Sequence, residues 1–423
     1  MSEPGSTPLD GGAGAPRILT INGGSSSIRF ALYRGAALTR ALHGKIDRIG
    51  LAGTVLTMSE PGRPDTHASI AGDRASVVAG LIDRLQASNV FASLDAVGHR
   101  VVHGMQHAEP EPVSEALLRE LHRIGPYDPN HLPLEIELIE ALRQKLPQLP
   151  QVACFDTAFH RSMPPVARLI AIPRRYQGEG VQRYGFHGLS YAYLLEELAR
   201  LGDPAAAHGR VILAHLGNGA SMAAILEGRS IDTSMGFTPA SGLPMSTRSG
   251  DLDPGLFGYL CRIGQMSAAQ FDRMANEESG LLGVSGISSD VRDLLAREGD
   301  DPRAAEALGL YCYQAKKCLG AYAAALGGLD TLVFAGGVGE NAPAIRERIC
   351  AGLGFLGIAL DADLNAQGEP IISKAAARVR VRVIRTDEEL MIARSVTRLL
   401  RLGADRTDPA DRPSPDDQHP RAP

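Results

Sequence analysis

Glycines, hydroxyls, arginines and carboxylates sit in this chain at spacings that suit the handling of a phosphate. Asn22-Gly23-Gly24-Ser25-Ser26-Ser27 separates two apolar half-strands, and Arg29 follows. A hairpin turn needs only two residues. A longer run of Gly and Ser supplies free backbone N–H groups and hydroxyls, a nest for an anion. Gly217-Asn218-Gly219-Ala220-Ser221 repeats the pattern. In "AGGVGENAPAI", Gly337 and Gly339 follow an apolar strand and Pro343 lies near a helix start, a strand–loop–helix anion site. "ISSDVRDLL" offers Ser288, Ser289 or Asp290 as an N-cap, with Asp290 and Arg292 placed to meet a ribose or base. No GxxxxGK[ST] occurs, and none of these glycine runs completes a GxGxxG, so they support neither a P-loop NTPase nor a dinucleotide fold.

Arg100 ends the strand-like "AVGHR", and Arg248 lies in "STRSGDLDP", which has no apolar period. Two arginines brought to one cleft would clamp a carboxylate or a transferring phosphoryl group. Asp156 sits in the apolar "CFDTAF", where a carboxylate is costly unless paired or metal-bound. His187 and His215 border glycine turns. His99, His103 and His107 recur every four residues, but β-branched neighbours and bounding glycines favour a strand end over a zinc-binding helix. In "TDEEL", Thr386 and Glu389 have capping-box spacing. That gives Glu389 a structural role and leaves Glu388 as the metal candidate.

The elements that must position these groups repeat. "RILTINGGSSSIRFALYRG" and "RVILAHLGNGASMAAILEG" share one plan: Arg, apolar strand, Gly-rich hinge, apolar strand, turn. Each is followed by alternating helix and strand. After the first come a polar loop (59–67), a helix in "ASVVAGLIDRLQAS", strands in 94–104 and 151–160, and a helix in "LEIELIEALRQKL". After the second come strand–helix units in 328–349 and 379–400. A duplicated mixed α/β domain with two hairpins facing across a cleft accounts for this order.

The chain has 423 residues, more than one core readily supports. A net charge of −5 offers no footprint for nucleic acid or an anionic membrane, and no apolar run has the length of a bilayer span. Five scattered cysteines fit reduced thiols and a cytoplasmic location. Residues 1–16 and 404–423, rich in Pro, Gly and charge, read as disordered tails.

Taken together, "TINGGSSSIRF", "GHRVVHG", "FDTAFH", "RYGFHGLS", "HLGNGAS", "IDTSMGFTP", "TRSGDLDP", "GGVGEN" and "TDEEL" resemble, in order from about residue 17 to 400, the acetate/propionate kinase family. The resemblance implies a duplicated RNase H-like, actin-type ATPase fold with a central nucleotide cleft, and usually a homodimer. One domain would be 17–160 with the C-terminal helix 389–403, and the nucleotide-binding domain 161–388. ATP/ADP would be co-substrate with Mg²⁺ or Mn²⁺ held by Asn22 and Glu388. Ser25, Ser27 and Arg29 would line the phosphate hairpin. His215, Leu216, Gly217, Asn218 and Gly219, then Asp290, Val291 and Arg292, then Gly337, Val338, Gly339, Glu340 and Asn341 would contact the nucleotide. Arg100, Arg248, His187 and Asp156 would be catalytic, with Val102, Phe186 and Pro239 around the acyl group.

A carboxylate is already an anionic nucleophile, so phosphoryl transfer to it needs positioning and charge neutralisation rather than a base. Asp156 then orients Arg100 or metal-bound water. Several positions depart from the family: Arg29 for Lys, Met105 and Ser246 for Gly, Tyr191 for His, and Tyr127 in the rearranged "GPYDPNHLP". Bulk at Tyr127, Met105 and Ser246 predicts a pocket no larger than the family norm, with acetate at least as good as propionate. The readings left open are the same transfer to propionate or butyrate and, from another class, an actin- or chaperone-like ATPase switch.

Overall fold

The computed structural model describes residues 15–24, 27–49, 53–70 and 74–403. Except for residues 15 and 16, the two tails lie outside the described residues. So does Ser25.

Two sheets form the frame. The first combines β1 (Arg17–Gly23), β2 (Ser27–Arg34), β3 (Thr39–Asp47), β4 (Val55–Ser59), β5 (Thr66–Ser69), β6 (Ala96–Val101), β7 (Glu111–Pro112) and β8 (Gln151–Phe155), in the order β5-β4-β3-β2-β1-β6-β8-β7. The second combines β9 (Arg210–Leu216), β10 (Ala220–Leu226), β11 (Arg229–Thr233), β12 (Thr331–Ala335) and β13 (Arg380–Val383), in the order β11-β10-β9-β12-β13. Three antiparallel strands and then two parallel ones appear in both, as β3-β2-β1-β6-β8 and as β11-β10-β9-β12-β13. The duplication read from the sequence is therefore one of topology. The first sheet grows at its edges, since the polar stretch 59–67 closes a β4–β5 hairpin and contributes Thr66 and His67 to a strand.

Parallel central strands are covered on both faces and read as continuous apolar runs. β8, "QVACF", and β12, "TLVFA", are buried at every position. Antiparallel β4, next to the edge strand β5, alternates instead, as a half-covered strand must. The helix Glu388–Leu400 lays Met391, Ile392, Ala393 and Val396 against Ile18, Ala31, Ala96, Val152 and Cys154 of the first sheet. Gly98 permits this approach: a Cβ there would lie 2.5 Å from Ile392 Cγ2.

That helix corrects one expectation. Its N-cap is Asp387, whose carboxylate accepts from Leu390 N at 2.9 Å. The Thr386 hydroxyl meets Ser190 Oγ instead. The Thr386–Glu389 capping box is absent, because Asp387 occupies the capping position and Glu389 turns elsewhere. The three spaced histidines also separate. His99 on β6 meets Gln151 Oε1 at 2.7 Å, and His107 meets Glu111 Oε1 at 2.7 Å. The five cysteines are free, and among the described residues no helix is long and apolar enough to cross a membrane.

Candidate active site

The tips of both hairpins, the end of β6, the turn after β12 and the start of the Glu388–Leu400 helix border one cleft of about 1070 Å³. Of the residues singled out from the sequence, Asn22, Ser27, Arg29, Arg100, Val102, Phe186, His187, His215, Gly217, Asn218, Gly219, Pro239, Arg248, Asp290, Val291, Arg292, Gly337, Val338, Glu340, Asn341 and Glu388 line it. Three do not. Leu216 is fully buried in the apolar core, because an outward residue of β9 is followed by an inward one. Gly339 packs inside its helical turn over Phe334. Asp156 lies behind Arg100.

Arg100 comes off the end of β6 and is held from three sides. Nε and Nη2 donate to Asp156 Oδ2 at 2.9 and 2.6 Å, and Nη1 donates to the Gly23 carbonyl at 2.8 Å. Glu135 Oε1 is 3.7 Å from Nη1. Burial alone would lower the Arg100 pKa, but Asp156, Glu135 and Glu388 overrule it and raise the value. Burial pushes Asp156 up against the pull of Arg100, and the short contact to the guanidinium keeps it ionised. Asp156 Oδ1 also accepts from Leu189 N at 3.3 Å, tying it to the next helix, Gly188–Arg200. That helix begins at glycine for a steric reason: a Cβ on residue 188 would stand 1.8 Å from the Asp156 carbonyl oxygen. Glu135 is the weaker partner. Burial pushes its carboxyl up to about 8, against Arg100 and the N–H of Val102.

His187 precedes that helix with φ of 59°, a left-handed conformation uncommon outside glycine. Nδ1 lies 2.8 Å from Ser221 Oγ, which also meets the Tyr191 hydroxyl. The ring stacks on His215 at 4.2 Å. Burial, with His215, Arg100 and Arg248 nearby, lowers the His187 pKa well below its ordinary value. The ring is therefore neutral at pH 7, with one N–H to donate. Arg248 approaches from the loop after β11, with Nη1 donating to the Pro239 carbonyl at 3.2 Å. A Cβ on Gly219 would lie 3.2 Å from His187 Nε2 and 3.5 Å from Arg248 Nη1. Both groups thus converge on the second hairpin.

Asn22 Nδ2 donates to Glu388 Oε2 at 2.8 Å and to Glu389 Oε1 at 3.0 Å. Carboxylates only accept, which assigns the amide nitrogen to that side and turns Oδ1 away from it. Despite burial, Arg100, His215, the Asn22 amide and Arg29 hold Glu388 below the usual carboxylate range. Burial and then Glu388 raise Glu389. On the other side of the cleft, Asp290 caps its helix through Arg292 N at 2.8 Å and pairs with the Arg292 guanidinium. Glu340 Oε1 accepts from Gly336 N and Thr386 N.

Around Val102, Phe186 and Pro239 the family departures lie differently from expectation. Tyr127 turns its hydroxyl to the Glu179 carbonyl at 2.9 Å and its ring to Phe237 at 5.5 Å. Met105, at φ of 50°, packs towards Gly180. Neither lines the cleft. Ser246 does, but beside Asn218, whose carbonyl accepts from Ser246 N at 3.1 Å. Sequence reasoning missed Asp128, His131 and Glu135. Glu135 had a signal: it falls between Leu132, Ile136 and Ile139 on the buried face of an apolar helix, where a carboxylate needs a partner.

Comparison with known proteins gives the family. The model of the acetokinase family matches residues 17–394. The chain is 46% identical over 391 residues to the acetate kinase of Rhodopseudomonas palustris (strain ATCC BAA-98 / CGA009), covering 90% of this chain and 98% of that protein. The crystal structure of Porphyromonas gingivalis acetate kinase superposes with a TM-score of 0.82 at 36% identity, over 91% of this chain and 100% of that one. A propionate kinase structure from Francisella tularensis subsp. tularensis SCHU S4 gives 0.83 at 35%, over 90% and 98%. With its duplicated sheets, its cleft and a match spanning nearly all of its length, the chain belongs to the acetokinase family.

Proposed function

We propose that this chain catalyses reversible phosphoryl transfer between ATP and acetate, giving acetyl phosphate and ADP. The observation that carries the reading is the convergence of Arg100 and Arg248, one from each sheet system, with neutral His187 on the nucleotide hairpin at Gly219. An ATPase switch has no use for two guanidiniums facing an acceptor.

In the forward direction an acetate oxygen forms a bond to the γ-phosphorus while the bond from phosphorus to the bridging oxygen of ADP breaks. ADP leaves with the electron pair, and no proton need move. Arg100 and Arg248 orient the carboxylate and neutralise charge on the transferring oxygens, and His187 donates from Nε2. Asp156, at 2.6 Å from Arg100 Nη2, fixes that guanidinium and abstracts nothing. Val102, Phe186 and Pro239 enclose the methyl group. The hairpins, with Ser25, Ser27 and Arg29 on one side and His215 to Gly219 on the other, cradle phosphates. Asp290 to Arg292 and Gly337 to Asn341 hold the nucleoside.

Asn22 and Glu388 suit Mg²⁺: a turned-out amide oxygen and an ionised carboxylate are hard donors that leave room for waters and phosphates. When bound, Mg²⁺ supplies charge neutralisation to the phosphates. We assign 17–160 with 389–403 to one lobe and 161–388 to the nucleotide lobe, supported by the packing of the C-terminal helix on the first sheet. A homodimer is supported by the apolar helix Pro254–Ile263, which buries none of its residues in the single chain. The five free cysteines suit the reducing cytoplasm. The reading is tested by Mg²⁺-dependent ADP release: it must rise on adding acetate, and release indifferent to acetate would refute it.

A further inference from the structure

Arg248 is partly buried in the cleft wall, and among the described residues its hydrogen-bond partners are the Pro239 carbonyl, the Met245 sulfur at 3.8 Å and His131, none of them a carboxylate. A guanidinium has donors only, so His131 Nε2, 3.3 Å from Nη2, must present a lone pair. Its other face agrees. Asp128 Oδ1 takes both His131 Nδ1 at 2.8 Å and His131 N at 3.2 Å. A carboxylate only accepts, so the ring proton is on Nδ1. Both neighbours therefore select the same neutral tautomer. Asp128 and His131 are 3% and 7% exposed, which removes water as a competing partner. They lead into the helix Leu132–Lys145, which packs on β1 and β6 of the first sheet. Arg248 belongs to the loop after β11 in the second.

We propose that His131, aimed by Asp128, is the positioning residue that seats Arg248 at the transferring phosphoryl group, and that this clasp joins the two lobes. The proposal rests on the acyl-kinase reading for its kinetic consequence. The groups facing His131 are Asp128, Arg248 and Arg100, and His103 faces Asp128 from the other side. Burial lowers the His131 pKa, Asp128 opposes it, and the two arginines add to the lowering. Below that pKa, an Nε2 proton would point at Arg248, two cations would meet, and Arg248 would leave its seat.

The test compares kcat and KM of wild type, His131→Asn and His131→Phe from about pH 5 to 8. Wild-type kcat falls on the acid side. His131→Asn offers Arg248 an amide oxygen that does not titrate, so it stays within about tenfold of wild-type kcat and loses the acid limb. His131→Phe loses about 10²-fold in kcat with KM for ATP unchanged. Wild-type kcat in His131→Phe, or an unchanged acid limb in His131→Asn, overturns the proposal. A ¹⁵N-histidine spectrum of the wild-type protein at neutral pH, with His131 assigned by its loss in His131→Asn, decides the clasp without any turnover. The expected form is neutral and Nδ1-protonated, and an Nε2-protonated or charged ring overturns it. Absence of acetate-dependent turnover in wild type would instead count against the functional reading.

Discussion

Arg100 and Arg248 share a charge and differ in what holds them, so their loss differs in kind. Arg248 spends two donors on neutral acceptors and keeps the rest for substrate. Arg248→Ala therefore removes an interaction made mainly in the transition state and lowers kcat by about 10²-fold or more at nearly constant stability. Arg100→Ala leaves the Asp156 carboxylate buried without its cation, which costs about 3–5 kcal/mol in addition to activity. Normal kinetics in both variants would make them ordinary structural arginines. Glu388→Ala raises the Mg²⁺ requirement. Glu389→Ala does so by less, since Glu389 shares the Asn22 amide rather than capping a helix; a Mg²⁺ requirement unchanged by either loss would refute the assignment. The arginines and His187 were legible because glycine turns flank them in sequence. Asp128 and His131 were not, because a proline-rich loop has no period, and only the fold brings a residue 117 positions away to meet Arg248.

The helix Leu132–Lys145 carries both a structural core and a carboxyl that core disfavours. With Glu135 pushed up to about 8, the folded state keeps a proton that the unfolded state gives up near the ordinary carboxylate value. Between those values the native state binds more protons, so stability falls as pH rises towards 8. Glu135→Gln keeps an acceptor for Val102 N and has no proton to lose. Its melting temperature should decline less than that of wild type between about pH 5 and 8. Equal slopes would show that Glu135 is ionised throughout. Legibility at this scale followed apolar runs. β1, β6, β8, β9 and β12 are buried and announced themselves, whereas β5, "THAS", is an edge strand whose pairing to β4 no local preference reveals. Asp387 displaced the expected cap because it adjoins the helix and is anchored by Arg40 and Tyr33, partners distant in sequence.

At the level of the whole molecule, the repeated Gly-hinged hairpin was enough to foretell two sheets of one topology and a cleft between their hairpins. It could not foretell which departures matter for substrate size. Tyr127 and Met105 lie outside the cleft, so under the proposed function selection for acetate is assigned to Val102, Phe186 and Pro239. The surface holds a second consequence. Phe257, Tyr259 and Ile263 are 40%, 54% and 70% exposed along one helix, an apolar patch of the kind that marks an interface. Sedimentation should show a dimer that Ile263→Glu weakens; a monomer at all concentrations would contradict the homodimer.

If the paired arginines direct the γ-phosphoryl group to a carboxylate and not to water, ADP release and acyl-phosphate formation run together. Hydroxylamine trapping alongside ADP measurement, with ATP, Mg²⁺ and acetate, tests it most directly. About one acetohydroxamate is expected for each ADP released, with propionate trapped no faster than acetate and butyrate poorly. ADP formed at the same rate with and without acetate, and no hydroxamate, would contradict it.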